Sequence, residues 1–103
     1  MAQFSLYRNT NRQTQGRYSF LLDIQSDFLG ALKTRLVIPA IKLADQKPIT
    51  RLNPVFEWEQ EHYLLVIQEM AAIPANNLGA KVAELDALPS EILAAVDLLI
   101  TGI

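Results

Sequence analysis

Few residues of this chain are of the types that carry out acid, base or nucleophilic chemistry. His62 is the only histidine, so a nucleophilic triad has one candidate base and a metal site would depend on carboxylates. His62 lies between Glu61 and Tyr63 in a predicted hairpin, a setting typical of an exposed structural histidine. Asp23 and Asp27 are the only obvious candidates for an acid/base pair. Asp23 ends a predicted strand and Asp27 lies in a predicted turn, where aspartate commonly caps backbone N–H groups.

Cofactor chemistry has equally little support. The chain contains no cysteine, which excludes a disulfide framework and thiolate metal ligands. Neither GxGxxG nor GxxxxGK[ST] is present to hold a phosphate. Trp58 lies on an alternating segment, which indicates a core or sheet-face aromatic. The sequence therefore predicts a binding protein and not an enzyme, with no catalytic residue, no cofactor and no metal.

The C-terminal segment offers a different kind of chemistry, an apolar surface. From Leu88 the chain reads LPSEILAAVDLLITGI, and Pro89 suits the first turn of a helix. The spacing of one apolar stripe predicts a face that docks on the domain, formed by Leu88, Ile92, Val96, Leu99 and Ile103. Ile100 continues the apolar surface round the side of the helix, beyond what one docked face needs. We therefore expect the end of this helix to contact another macromolecule.

The net charge of −2 conceals an asymmetry along the chain. Residues 1–35 carry five Lys and Arg against two Asp, a balance of +3, whereas residues 57–103 carry one Lys against eight acids, a balance of −7. Phosphate neutralisation dominates nucleic-acid affinity, so this acidic chain is a poor candidate for binding nucleic acid by itself. The basic N-terminal third has the charge to receive an acidic peptide, and a solvated surface is the alternative.

The elements that position these residues are short strands and one helix, in a single predicted domain over residues 1–103. Alternation and turn residues predict strands over 3–7, 17–25, 35–38, 55–59, 62–70 and 81–85. Pro39 is expected to stop the third strand, which resumes over 41–43. Residues 63–67 are apolar on both faces and indicate a central, doubly buried strand. The sequence thus predicts a mainly β fold, a small twisted antiparallel sheet or partly closed barrel of about five strands with a C-terminal helix packed on it.

Nothing in the sequence indicates a membrane or an export signal. The first residues, MAQFSLYRNTNR, turn polar too early for a signal peptide. The apolar runs are far shorter than the ~20 residues that span a bilayer. We expect a soluble, cytoplasmic protein.

Several short segments together carry a family resemblance. The ordered set consists of LDIQSD over 22–27, RLVIP over 35–39, MAAIP over 70–74 and the closing Gly102-Ile103. Gln3-Phe4, Tyr7, Pro54-Val55 and VAEL over 82–85 fit the same pattern. In order and spacing this chain resembles CcdB-type toxins over essentially its whole length.

The resemblance implies a fold and a function. CcdB toxins are homodimers with an SH3-like barrel, and they belong to type II toxin–antitoxin modules that serve plasmid maintenance. They bind the A subunit of DNA gyrase between its dimerisation arms and trap the enzyme on cleaved DNA. A CcdA-like antitoxin neutralises the toxin, and the complex represses its own operon, with the operator DNA contacted by the antitoxin.

The resemblance also implies a gyrase-binding surface, made of the helix end and a loop after the DIQSD segment. Carried over to this chain, it comprises Phe28, Leu29, Asp97, Ile100, Thr101, Gly102 and Ile103. Thr101 departs from the best-known member, which has tryptophan there, and loss of a hot-spot aromatic costs about 2 kcal/mol or more. Phe28 stands where an aliphatic residue is usual in the family, and the resemblance therefore predicts an aromatic anchor on the loop.

Two alternatives remain open at this point. A degenerate CcdB-like protein would bind antitoxin without poisoning gyrase, and Thr101 is the residue that keeps this possibility open. An endoribonuclease toxin of the MazF/Kid type would share the barrel. Such enzymes open with a G-[DE]-[IV]-[YVW] strand motif and hold RNA with basic residues, whereas this chain opens MAQFSLY and is acidic.

Overall fold

The computed structural model describes residues 2–102, so Ile103 of the predicted stripe and site lies outside the described residues. The strands are β1 Ser5–Asn9, β2 Phe20–Asp23, β3 Thr34–Lys42, β4 Val55–Trp58, β5 Glu61–Leu65, β6 Ala71–Pro74 and β7 Leu78–Glu84, and helix α1 Pro89–Thr101 follows them. Short 3-10 turns occupy Asp27–Leu29, Ile67–Glu69 and Ala75–Asn77. Within residues 2–102, no helix has the length and apolar character to cross a bilayer. The predicted mainly β fold with a C-terminal helix is confirmed.

The strands form one antiparallel sheet that curls into a half-barrel, with the order β4-β5-β3-β2-β1-β7. β3 is the longest strand and lies at the centre of the sheet. It pairs with β2 along one edge, and with β5 and then β6 along the other. The described residues form seven strands where about five were predicted, and β6 is the strand that lies outside every predicted segment.

The prediction of a single continuous strand over 62–70 is wrong, because β5 ends at Leu65 and the next strand, β6, begins only at Ala71. β5 pairs with β3 up to Leu65 opposite Ala40, and β6 begins to pair at Ala71 opposite Val37. Between them the chain leaves the edge of β3, makes the 3-10 turn Ile67–Glu69, and rejoins the same edge. The expectation that residues 63–67 are buried is confirmed.

Pro39 explains where the interruption falls. β3 runs through Pro39 without a break, so the prediction that proline stops this strand is wrong. The Pro39 carbonyl accepts a hydrogen bond from Val66 N at 2.9 Å. The N–H and C=O of one strand residue point to the same side, so the missing N–H of Pro39 faces this edge as well. Proline therefore interrupts the neighbouring strand and leaves β3 intact.

The first two strands are shorter or shifted relative to the predictions. The predicted strand 3–7 lies over Ser5–Asn9, and the predicted strand 17–25 is paired only over Phe20–Asp23. Side-chain alternation continues past the paired residues in the second segment, and alternation alone does not mark where pairing ends. The predicted hairpin between the strands over 55–59 and 62–70 is confirmed. Glu59 and Gln60 both have positive φ, 48° and 67°, the signature of a two-residue hairpin turn.

β7 is longer than the predicted strand over 81–85, and it includes Gly79. A Cβ at Gly79 would lie 2.9 Å from the backbone oxygen of Arg8 and 2.9 Å from Thr10 Cγ2. Glycine is therefore required for the close approach of β7 to β1. The pairing of these two strands also shifts register beyond Leu6.

The core lies between the concave face of the sheet and α1. Its fully buried large side chains include Leu6, Leu22, Ile38, Leu65, Ile67 and Ile92. A smaller buried cluster of Ile41, Leu64 and Val66 lies apart from this core. Alternation along the strands therefore gives the sheet apolar side chains on both faces.

α1 docks through its first half only. Ile92 and Ala95 are fully buried and Val96 is partly buried against the core. Leu99 is 42% exposed and Ile100 is 73% exposed. The predicted docking of Leu99 is therefore wrong, because the burial of this face ends at Val96 and the last turn of the helix extends into solvent.

Because one face of α1 is buried and another is exposed, two neighbouring positions of the helix give a matched pair of variants. Ile92→Ala removes a fully buried side chain and should lower the free energy of unfolding by about 2–5 kcal/mol. Leu93→Ala, one residue further along and 54% exposed, should change it by about 0.5 kcal/mol or less. Urea unfolding of both variants at one protein concentration measures the difference. Equal losses would contradict the docking described here.

Candidate functional site

The structure places the predicted site residues in two segments. Phe28 and Leu29 lie in the 3-10 turn Asp27–Leu29, between β2 and β3. Asp97, Ile100 and Thr101 lie in the last two turns of α1, and Gly102 caps the helix. Every described member is exposed, and Phe28 is 94% exposed.

Two hydrogen bonds within the helix cap the C-terminal end of α1. The Thr101 hydroxyl donates to the carbonyl of Asp97 at 2.7 Å, and the N–H of Gly102 donates to the carbonyl of Leu98 at 2.9 Å. Gly102 has φ 76°, the left-handed conformation that ends many helices and favours glycine. The direction in which the chain leaves the helix therefore depends on Gly102.

The loop that carries Phe28 is held by its own polar side chains. Ser26 Oγ accepts from Phe28 N at 3.2 Å, and Gln25 Nε2 donates to the carbonyl of Leu29 at 3.1 Å. Asp27 Oδ1 accepts from Gln3 N at 2.9 Å. Asp27 thus binds backbone N–H, as its turn position predicted. The loop is ordered by these bonds while the Phe28 ring lies in solvent.

A buried ion pair lies beneath this loop, and sequence reasoning missed it. Arg35 Nη2 is 2.7 Å from Asp23 Oδ2, and Arg35 Nε donates to the same oxygen at 2.9 Å. The two side chains are 3% and 0% exposed. Asp23 Oδ1 also accepts from Gln25 N at 3.0 Å, and the Gln25 carbonyl accepts from Arg35 Nη2 at 3.4 Å. Asp23 therefore positions the start of the loop and is not available as a catalytic acid.

The register between β2 and β3 brings Asp23 and Arg35 together. Asp23 pairs with Val37, and Arg35 is two residues from Val37 on the same face of β3. That diagonal relation brings a long side chain within reach of its neighbour. The sequence alone does not fix the register, so it does not reveal the pair.

Each site segment is internally connected, but no hydrogen bond or ion pair between residues 2–102 joins the helix end to the Phe28 loop. That the two segments act as one gyrase-binding surface stays a prediction.

His62, the only histidine, is exposed and pairs with Glu57 across the β4–β5 hairpin. The expected exposed position of this histidine is confirmed.

Comparison with known proteins decides the family. The model of the CcdB family, described as "CcdB protein", matches residues 3–102. The chain belongs to the CcdB family. This confirms the resemblance carried by the DIQSD, RLVIP and MAAIP segments, and it supports the assignment of the chain as the toxin of a toxin–antitoxin system.

A solved structure shares this fold. A mycobacterial endoribonuclease, solved in complex with its cognate antitoxin, superposes on this CcdB-family chain with a TM-score of 0.77. The match covers 97% of this chain and 94% of that one, at 10% sequence identity. At this identity the likeness concerns the fold, which the two proteins share over nearly their whole lengths.

The buried ion pair leads to a test of what holds the loop. Asp23→Ala leaves the Arg35 guanidinium buried without its partner and should lower the free energy of unfolding by about 3–5 kcal/mol. The control Asp27→Ala removes an exposed carboxylate four residues away and should cost about 1 kcal/mol or less. Denaturant unfolding measures both. A loss for Asp23→Ala no larger than the control's would contradict the structural role of the pair.

Proposed function

We propose that this chain is the toxin of a type II toxin–antitoxin module that binds the A subunit of DNA gyrase and traps the enzyme on cleaved DNA. A cognate CcdA-like antitoxin neutralises it. The observation that carries the proposal is the match of the CcdB family model to residues 3–102. In this proposal the chain acts by binding in the cytoplasm, without a catalytic residue, cofactor or metal of its own.

The exposure of the candidate surface supports this function. Phe28 is 94% exposed and Ile100 is 73% exposed. Exposed large apolar side chains at a family binding position are the usual mark of a protein interface. Aromatic anchors dominate interface energetics, so we assign to Phe28 the anchoring part that tryptophan has at the position of Thr101 in the best-known member.

The remaining partners follow from the family. We propose a homodimer, and contact with operator DNA through the antitoxin alone. The formal net charge of −2 fits the second point, because an acidic chain gains little from phosphate neutralisation.

An endoribonuclease is the second candidate, because the mycobacterial protein with this fold is one. Three glutamates, Glu57, Glu59 and Glu61, are exposed on the β4–β5 hairpin around the only histidine. Their charge opposes the approach of an RNA backbone. The two candidates differ in the nucleic acid that is cut, which is gyrase-bound DNA in one case and RNA in the other.

Substitutions at both site segments test the gyrase surface. Phe28→Ala removes an exposed ring, and Thr101→Glu places a carboxylate in an interface that offers it no partner. Each should weaken binding to the gyrase A subunit about tenfold or more, and should relieve growth arrest on induction. Thermal unfolding and antitoxin binding should stay close to those of the unsubstituted protein.

The control is Ile49→Ala, which truncates a side chain that is 55% exposed outside both segments. It should retain gyrase affinity and toxicity. If Phe28→Ala and Thr101→Glu remain fully toxic, the surface is wrongly assigned. If the unsubstituted chain binds antitoxin but not gyrase, the chain is the degenerate form that Thr101 leaves open.

The molar mass of the protein in solution tests the proposed homodimer. The subunit mass is 11.5 kDa, and several large apolar side chains are exposed on it, which leaves surface for a second copy related by a two-fold axis. Light scattering at micromolar concentration should give about twice the subunit mass. A value near the subunit mass would contradict the dimer.

A further inference from the structure

A groove of about 410 Å³ opens at one end of the curled sheet. It is lined by Arg8, Phe20, Lys42, Trp58 and Tyr63 from the first five strands, and by the loop residue Gln15. We name it the mouth groove. Mouths of barrels and curled sheets are common places for binding sites. The groove includes none of the residues assigned to gyrase.

The floor of the mouth groove is a cluster of aromatic rings. Phe20 meets Trp58 edge-to-face with the ring centroids 4.9 Å apart, and meets Tyr63 in the same way at 5.1 Å. Phe20 and Tyr63 are buried, whereas Trp58 is only half-buried. Trp58 is therefore the ring that an incoming apolar side chain can cover.

Arg8 lies over this floor. Its guanidinium carbon is 5.9 Å from the centroid of Phe20 and 5.8 Å from that of Trp58. It forms no ion pair with a carboxylate of residues 2–102. The guanidinium lies within cation–π distance of both rings, and its planar set of donors suits a carboxylate.

The other charges of the groove limit what it accepts. Lys42 Nζ pairs with Glu61 Oε2 at 3.4 Å, and the Tyr63 hydroxyl donates to the same oxygen at 3.4 Å. Burial, with the nearby Glu61 carboxylate, raises the pKa of Tyr63, so its hydroxyl stays neutral. Of the two cations that line the groove, Arg8 is the one with no carboxylate partner among residues 2–102. One carboxylate matches this charge, whereas a run of phosphates would also meet the glutamates of the β4–β5 hairpin.

We propose that the mouth groove binds a segment of the cognate antitoxin in which a carboxylate side chain adjoins an apolar one. The carboxylate pairs with Arg8 and the apolar side chain covers Trp58. This rests on the proposed function, which supplies the antitoxin as partner. The groove deepens that function by assigning to the antitoxin a surface separate from the Phe28 loop and the helix end. Gyrase and antitoxin then contact different parts of the toxin.

The experiment uses the fact that Trp58 is the only tryptophan in the chain. Toxin produced with 5-fluorotryptophan gives one fluorine resonance for each environment of Trp58, and the unlabelled antitoxin contributes none. Titration with the full-length cognate antitoxin should move this resonance and saturate with formation of the complex. Titration with an oligouridylate should leave it in place.

Two arginine variants distinguish a specific contact in the mouth groove from a general effect of positive charge on antitoxin binding. Arg8→Ala should weaken antitoxin binding about tenfold or more, as expected for the loss of a charge-assisted hydrogen bond. Arg12→Ala removes the same charge from an exposed position four residues away that does not line the groove, and should weaken binding less than about threefold. Calorimetry measures both, with thermal unfolding to verify the fold.

The outcomes are distinguishable. A complex that forms without moving the Trp58 resonance, or equal losses for Arg8→Ala and Arg12→Ala, would overturn the groove and leave the antitoxin partner in place. A resonance moved by oligouridylate and not by antitoxin would overturn it in favour of RNA. If the unsubstituted toxin forms no complex, the proposed antitoxin partner falls and the groove assignment falls with it.

Discussion

The buried pair of Asp23 and Arg35 is the interaction on which the presentation of the loop depends. Two charges removed from water must satisfy each other, and removal of one partner costs more than the pair contributes. Here the pair also binds both backbone groups of Gln25. Gln25 in turn binds Leu36 N through Oε1 at 3.0 Å and the carbonyl of Leu29. The loop that carries the exposed Phe28 is thereby connected to the central strand of the sheet.

In the C-terminal helix, the residues that dock on the core and the residues of the exposed end lie in different turns. Its first half carries Ile92 and Ala95 into the core, and its last turn stands free with Ile100 exposed. A helix docked in this way can change its exposed end with little cost to the fold, because the end makes few contacts with the core. The same holds for the Phe28 ring. Stability and the proposed gyrase contact therefore depend on different residues of the same elements.

Much of the fold could be predicted from the sequence. Apolar alternation and turn residues located most of the strands, and Pro89 located the helix start. The prediction for Pro39 is wrong because the effect of this proline falls on the neighbouring strand, which only the pairing reveals. The prediction for Leu99 is wrong because periodicity gives the face of a helix and not how far the core extends beneath it. The Asp23–Arg35 pair and the mouth groove both depend on register between strands, so local pattern could not give them.

Cleavage of DNA by purified gyrase is the measurement that tests the central claim most directly. Gyrase, supercoiled plasmid and ATP are incubated with the toxin, and covalently trapped breaks are released by detergent and protease. If the chain is a gyrase poison, linear DNA should increase with toxin, disappear when cognate antitoxin is added, and be reduced by Phe28→Ala. An intact plasmid in this assay, together with cleavage of RNA by the same toxin preparation, would contradict the account and establish the endoribonuclease instead.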